Sequence, residues 1–355
     1  MPPYSKSASL GTKKTSAAQV PVKTDCRHSA TGVYWPSFRE KTPMRGIGVI
    51  VAGLLALCVP ARAALPAEQP YKIAFAGRLT TEVYIDGQGP FNFLIDTASS
   101  RSLIFEHVRK QLGLKQSQPN LLPVYGINDV GQAMPVTPGE LKIAGESVKG
   151  LLLGVLPDSV PGQDPDGVLG LDVLSRYFVV LDRTNMRLRL MAPGSQSASG
   201  YTDWYRVSLR ARSLKKFSIQ FWYLDAFFNG KTITSLFDLG SGATVLNWLA
   251  AEKLGVRQYD FRNVGPPPEL LQDVLGKKKP AIKLYGLDVR LPGRLWRQQM
   301  ALVADAPVFD YFDLDQKPAA IMGADFLGEN SLGIDFAGQR LYIGPAAQDT
   351  LHPPA

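Results

Sequence analysis

The chain has 355 residues, 45% hydrophobic and 20% charged, which is the make-up of a globular protein with room for two domains. Its formal charge of +8 would suit a nucleic-acid partner. However, residues 1–63 hold nine Lys and Arg against two Asp and Glu, which leaves 30 basic and 29 acidic residues, a net of +1, in the rest. The basic signal belongs to the leader, and nucleic acid is set aside as a partner.

Residues 1–43 are polar and rich in Ser, Thr, Pro and Lys. They read as a disordered tail or an over-extended translation, with Met44 as the true start. From Met44 the chain runs Met44-Arg45-Gly46, then a mostly apolar stretch over 47–59, then Ala61-Arg62-Ala63. A positive start, a short apolar region and a small-x-small site describe a secretory signal peptide over 44–63. The apolar run is short for a membrane span, so the expectation is a periplasmic or secreted protein with no stable span after cleavage. The alternative is retention by an uncleaved N-terminal anchor. Cys26 and Cys58 both precede the cleavage point, so the mature chain has no cysteine for a disulfide or a nucleophile. Only His107 and His352 remain there, too few for a His-based zinc site or a Ser-His-Asp triad. Hydrolysis, if present, must run on carboxylates.

Beyond the leader, short alternating or apolar runs are divided by Gly, Pro, Asn and Asp. Strands are predicted over 71–75, 81–85, 91–95, 141–143, 151–155 and 178–181, with short helices over 106–112 and 248–254. Asp86-Gly87 and Asn229-Gly230 each read as a hairpin turn. The stretch 192–200, rich in Ser, Gly and Ala, reads as a linker, and the tail beyond Pro345 as loose.

Two patterns recur. Phe93-Leu94-Ile95-Asp96-Thr97-Ala98-Ser99-Ser100 is matched by Leu236-Phe237-Asp238-Leu239-Gly240-Ser241-Gly242: an apolar run, an aspartate and a small-residue turn with hydroxyls. Val168-Leu169-Gly170-Leu171-Asp172 is matched by Ile321-Met322-Gly323-Ala324-Asp325. The following Asp182 and Arg187 are matched at the same spacing by Asp335 and Arg340. A repeat of this length implies two duplicated units, each a small all-β domain. An aspartate between apolar runs is costly to bury unless its charge or proton is held, and two brought together make a shared-proton pair.

Plainer uses for the same residues stand beside this one. Asp96 and Asp238 would otherwise be turn or capping aspartates. Asp172 and Asp325 read as the starts of short helices, and Asp182 and Asp335 as structural turns or ion pairs. Gly230-Lys231-Thr232 lacks the first glycine of a phosphate loop, because Asp225 stands there. Lys277-Lys278-Lys279 reads as a solvated loop, and the aromatic run over 217–228 as strand core.

Asp96-Thr97-Ala98-Ser99 resembles the Asp-Thr/Ser-Gly-Ser/Thr loop of aspartic proteases. Val168-Leu169-Gly170 and Ile321-Met322-Gly323 resemble the apolar-apolar-Gly motif that supports it, in the bacterial retropepsin-like branch. The resemblance implies an all-β, bilobal acid-protease-like fold, made of two homologous retropepsin-like β-barrel lobes with short helices. The lobes fall at 71–192 and 218–345, with a linker over 193–217 and a tail over 346–355. It implies an aspartic endopeptidase acting on peptide or protein substrates as a monomer, with no metal or organic cofactor. Asp96 and Asp238 would be the catalytic pair. Ser99 and Ser241 would hydrogen-bond their outer oxygens, and Ala98 and Gly240 would let the loop backbone approach. Thr97 supplies the hydroxyl that cross-links the loops in active members, but Leu239 does not supply its counterpart. Tyr125 and Gly126, within 124–131, are the candidate flap over the cleft, its glycines suiting a mobile tip. The alternatives are a catalytically weak or inactive peptide-binding module of the cell envelope, and lobes that pair with another chain.

Overall fold

The computed structural model describes residues 67–158, 165–257 and 269–346. The expectations for 1–63 and for the tail from 347 fall outside these residues. Among the described residues no helix is long and apolar enough to cross a membrane.

The molecule is mostly β, with two sheets and a few short helices. Each expected turn is a hairpin. Asp86 and Gly87 (φ +50° and +76°) join strands Leu79–Ile85 and Gln88–Ile95. Asn229 and Gly230 (φ +46° and +75°) join Gln220–Phe228 and Lys231–Phe237. Both central positions are left-handed, the geometry that matches strand twist and that Asp, Asn and Gly tolerate.

The second strand of each hairpin runs straight into an aspartate. Gln88–Ile95 is paired in parallel by Gly167–Leu169, Leu94 opposite Val168. Lys231–Phe237 is paired in parallel by Ala319–Met322, Leu236 opposite Ile321. Leu103–Phe105 and Val245–Leu246 lie antiparallel on the far sides of those supporting strands. Both aspartates therefore end strands braced from within their own sheets. The helix Glu106–Leu112 follows with the expected bounds and ends at Gly113 in the left-handed region. Trp248–Lys253 is capped by the Asn247 side chain, which accepts from the Ala250 N–H.

Strand Phe178–Asp182 pairs antiparallel with Asn330–Asp335, so the hairpins that carry Asp182 and Asp335 share a ladder. Asp182 accepts from Asn185 N and lies 3.4 Å from Arg189, while Asp335 accepts from Gly338 N. Within the stretch read as linker, Tyr205–Ser208 pairs with Arg340–Ala346, and Arg210–Ser213 pairs with Gln220–Phe228. The aromatic run is core: Phe221, Tyr223 and Phe228 are fully buried. One large apolar core spans both sheets, and a smaller cluster of Leu94, Leu103, Phe105, Ala133, Leu156 and Val168 stands apart from it.

Candidate active site

The two aspartate loops match bond for bond. Asp96 N donates to Leu169 O and Asp238 N to Met322 O, each at 3.1 Å. Asp96 Oδ1 accepts from the N–H groups of Ala98 and Ser99, both at 2.8 Å. Asp238 Oδ1 accepts from those of Gly240 and Ser241, at 2.9 and 3.1 Å. Each turn thus folds its backbone donors around its own carboxylate, which fixes where the acid points.

The serine hydroxyls do something other than the resemblance implies. Ser99 Oγ donates to Arg101 O and Ser241 Oγ to Ala243 O, at 2.8 and 2.7 Å. A carbonyl two residues ahead lies within the same tight turn, so the hydroxyl closes the loop locally and the serine N–H serves the carboxylate.

A second layer repeats as well. Ser102 Oγ donates to Asp172 Oδ1 and accepts from Gly170 N. Thr244 Oγ1 donates to Asp325 Oδ1 and accepts from Gly323 N. Asp172 and Asp325 do lie in the first turns of short helices, as expected, and they also anchor the aspartate loops. Ser102 and Thr244 went unnoticed in the sequence. The signal was there: each stands six residues after its aspartate.

Two contacts bring the loops together. Thr97, fully buried, donates through Oγ1 to Phe237 O and accepts from Leu239 N, both at 2.9 Å. The Leu239 side chain is buried in the main core, so this loop is gripped through its backbone and the cross-link is one-sided. Gly240 supplies the second contact. A Cβ there would lie 2.4 Å from Asp96 Cγ, while Gly240 N bonds Asp238 Oδ1. Both carboxylates therefore rest against the same residue.

Their ionisation reflects this. Burial pushes the Asp96 carboxyl up to about 6, against the pull of the Ala98 and Ser99 N–H groups and of the Arg78 cation. Asp238 is raised well above the usual carboxylate range, first by burial and then by the Asp96 charge. One proton held between two crowded acids is the expected state near neutral pH.

The candidate flap is a hairpin of strands Leu122–Tyr125 and Val130–Val136. Tyr125 packs edge-on against Phe217 and Tyr311 at 5.0 and 5.2 Å, and Ile127 O accepts from Val308 N at 3.2 Å. Gly126 and Gly131 face the 269–291 hairpin. Neither lies in the left-handed region, and each makes room for the facing hairpin of Glu269–Gln272 and Lys278–Leu291.

A family model described as aspartyl protease matches residues 81–173. Residues 81–173 form an aspartyl protease domain. No curated protein matches the chain. The aspartyl protease domain takes in the Asp96 loop, the 122–136 hairpin and the supporting Val168-Leu169-Gly170; Asp238 lies beyond it.

The one-sided grip on the domain's Asp96 loop can be measured. Thr97→Val leaves a buried C=O and a buried N–H without partners, a loss of about 2–4 kcal/mol. Thr97→Ser keeps both bonds and should lose about 1 kcal/mol or less, through the missing methyl. Urea unfolding of the two variants checks this, and equal midpoints would mean the hydroxyl contributes nothing.

Proposed function

We propose that the chain is an aspartic endopeptidase in which Asp96 and Asp238 activate water between two homologous lobes, 71–192 and 218–345. The observation that carries this reading is the placement of both carboxylates against Gly240, each aimed by two N–H bonds from its own turn. The family match at 81–173 supports hydrolysis of peptides as the reaction class.

The chemistry follows from a proton shared by the pair. The ionised acid takes a proton from a water, which attacks the peptide carbonyl. The protonated acid donates to the carbonyl oxygen, and return of a proton to the leaving amine completes cleavage. Both carboxyls are raised by burial and titrate as a unit, so the acid and base roles belong to the pair. The leader makes a periplasmic or secreted setting the natural one for this activity.

Below a pH of about 6 both acids carry protons and no base remains, so the proposed kcat/KM rises as pH increases through about 6. Cleavage of a diverse peptide library by the mature chain from pH 3 to pH 9 tests this. An optimum well below the rising limb would contradict the ionisation assigned here, and cleavage of nothing would end the endopeptidase reading. The second reading, a peptide-binding module that does not cleave, is favoured by Leu239 alone. A statine-type transition-state mimic separates the two, because tight binding needs both acids close together.

A further inference from the structure

We propose that the tip of the 269–291 hairpin, residues 273–276, sits in a side-chain pocket of the first lobe beside the strand that leads to Asp96. There it acts as a built-in plug that a peptide with branched aliphatic side chains must displace. The inference rests on the proposed peptide site, and it adds an occupant that belongs to the chain itself.

Strand alternation places the pocket. Leu94 faces away from the main core near the end of strand Gln88–Ile95, two residues before Asp96, while Phe93 and Ile95 turn into the main core. Leu103, Phe105 and Val168 share the pocket with Leu94, whereas their neighbours Ile104 and Leu169 belong to the main core. This apolar surface therefore lies beside the strand end that carries Asp96. Its covers are Leu122 and Val124 from one hairpin, and Val274 and Leu275 from the other.

The fit of the tip is close. A Cβ on Gly131 would lie 2.7 Å from Leu275 Cδ2, and one on Gly126 would lie 2.6 Å from Asp273 Oδ2. Neither glycine is required by its own backbone, so the seated tip accounts for both. Asp273 shapes the tip by accepting from Leu275 N and Lys277 N through Oδ1, at 3.0 and 2.9 Å.

Asn128 is the clasp. Its N–H donates to Asp273 Oδ2, and its amide donates to Leu271 O and Lys277 O. At 4% exposure it is shut away from water, yet its Oδ1 has no partner among the described residues. Opening would return that acceptor to water, which offsets part of the clasp and suits a contact made to be broken. Ile127 makes the crossing reciprocal, since its carbonyl accepts from Val308 N beyond the hairpin.

A plug competes with any ligand for its pocket and lowers apparent affinity by the fraction of molecules that are open. The test uses the full chain carrying Asp96→Asn, so that binding is read without cleavage, and a labelled hexapeptide centred on Leu-Val. Adding Leu275→Ser should tighten binding about tenfold, and adding Asn128→Ala should tighten it in the same direction. A free peptide, Gln-Asp-Val-Leu-Gly-Lys, copied from 272–277, should then compete for the emptied pocket of the Leu275→Ser protein. Unchanged or weaker binding in both variants overturns the plug and makes the tip part of the substrate grip. Absence of binding in every variant overturns the pocket as well. Tightened binding alongside no cleavage by the wild-type chain would sink only the endopeptidase reading.

Discussion

Asp96→Asn should lower kcat/KM for peptide cleavage by about 10²–10⁴-fold, the worth of general acid–base catalysis, because an amide cannot serve as the base. The same change should make the protein more stable at pH 7. The Asp96 carboxyl titrates at about 6 in the folded chain against an ordinary value of 3.8. The folded state therefore binds this proton more tightly than the unfolded state does. Stability contributed by that proton is full below about pH 4, falls as pH rises towards 6, and is gone above it. The buried charge costs at most about 3 kcal/mol at neutral pH. Asparagine carries no charge and keeps an oxygen for the Ala98 and Ser99 N–H groups. Thermal melts should show a gain of several degrees at pH 7 that fades towards pH 4. A variant that cleaves normally, or melts identically at both pH values, would place Asp96 outside any dyad.

Gly240→Ala should be nearly as damaging to activity while leaving every acid in place. The added methyl would meet Asp96 Cγ at 2.4 Å and both its oxygens within 2.8 Å. That carboxylate is pinned by two backbone bonds and cannot step aside freely. Gly240 is not in the left-handed region, so alanine brings no backbone strain and the substitution tests space alone. The two carboxylates must separate or rotate, and a displacement of about 1 Å costs roughly a hundredfold in rate. Overpacking should cost a further 1–3 kcal/mol or so of stability. Steady-state kinetics beside urea unfolding separates the two effects. A Gly240→Ala protein with full activity would mean that the loops do not meet as described.

Much of each aspartate loop was legible because its structure is local. An Asp-Gly or Asn-Gly pair sets a left-handed turn, alternation sets which side chains face inward, and an aspartate after a strand collects the next two or three N–H groups. The second layer was half legible. Asp172 and Asp325 were read as helix starts, and their partners Ser102 and Thr244 were missed although the six-residue spacing repeats. The serine hydroxyls were misassigned because a hydroxyl in a tight turn has several acceptors within reach, and local geometry chooses among them.

The sequence by itself determined that the aspartate pattern and its supporting pattern each occur twice, where each aspartate falls, and which strand and helix brace it. These depend on neighbours a few residues away. Only the tertiary structure decided how the two halves meet. Thr97 spans 140 and 142 residues to grip the second loop through Phe237 O and Leu239 N, so the missing hydroxyl at Leu239 left a one-sided link rather than an open one. Gly240 lies against a carboxylate from the other loop, and Asn128 binds a hairpin 143 to 149 residues further on. No periodicity or turn signal reports such contacts, because they arise only when two separately formed surfaces pack and exclude water between them.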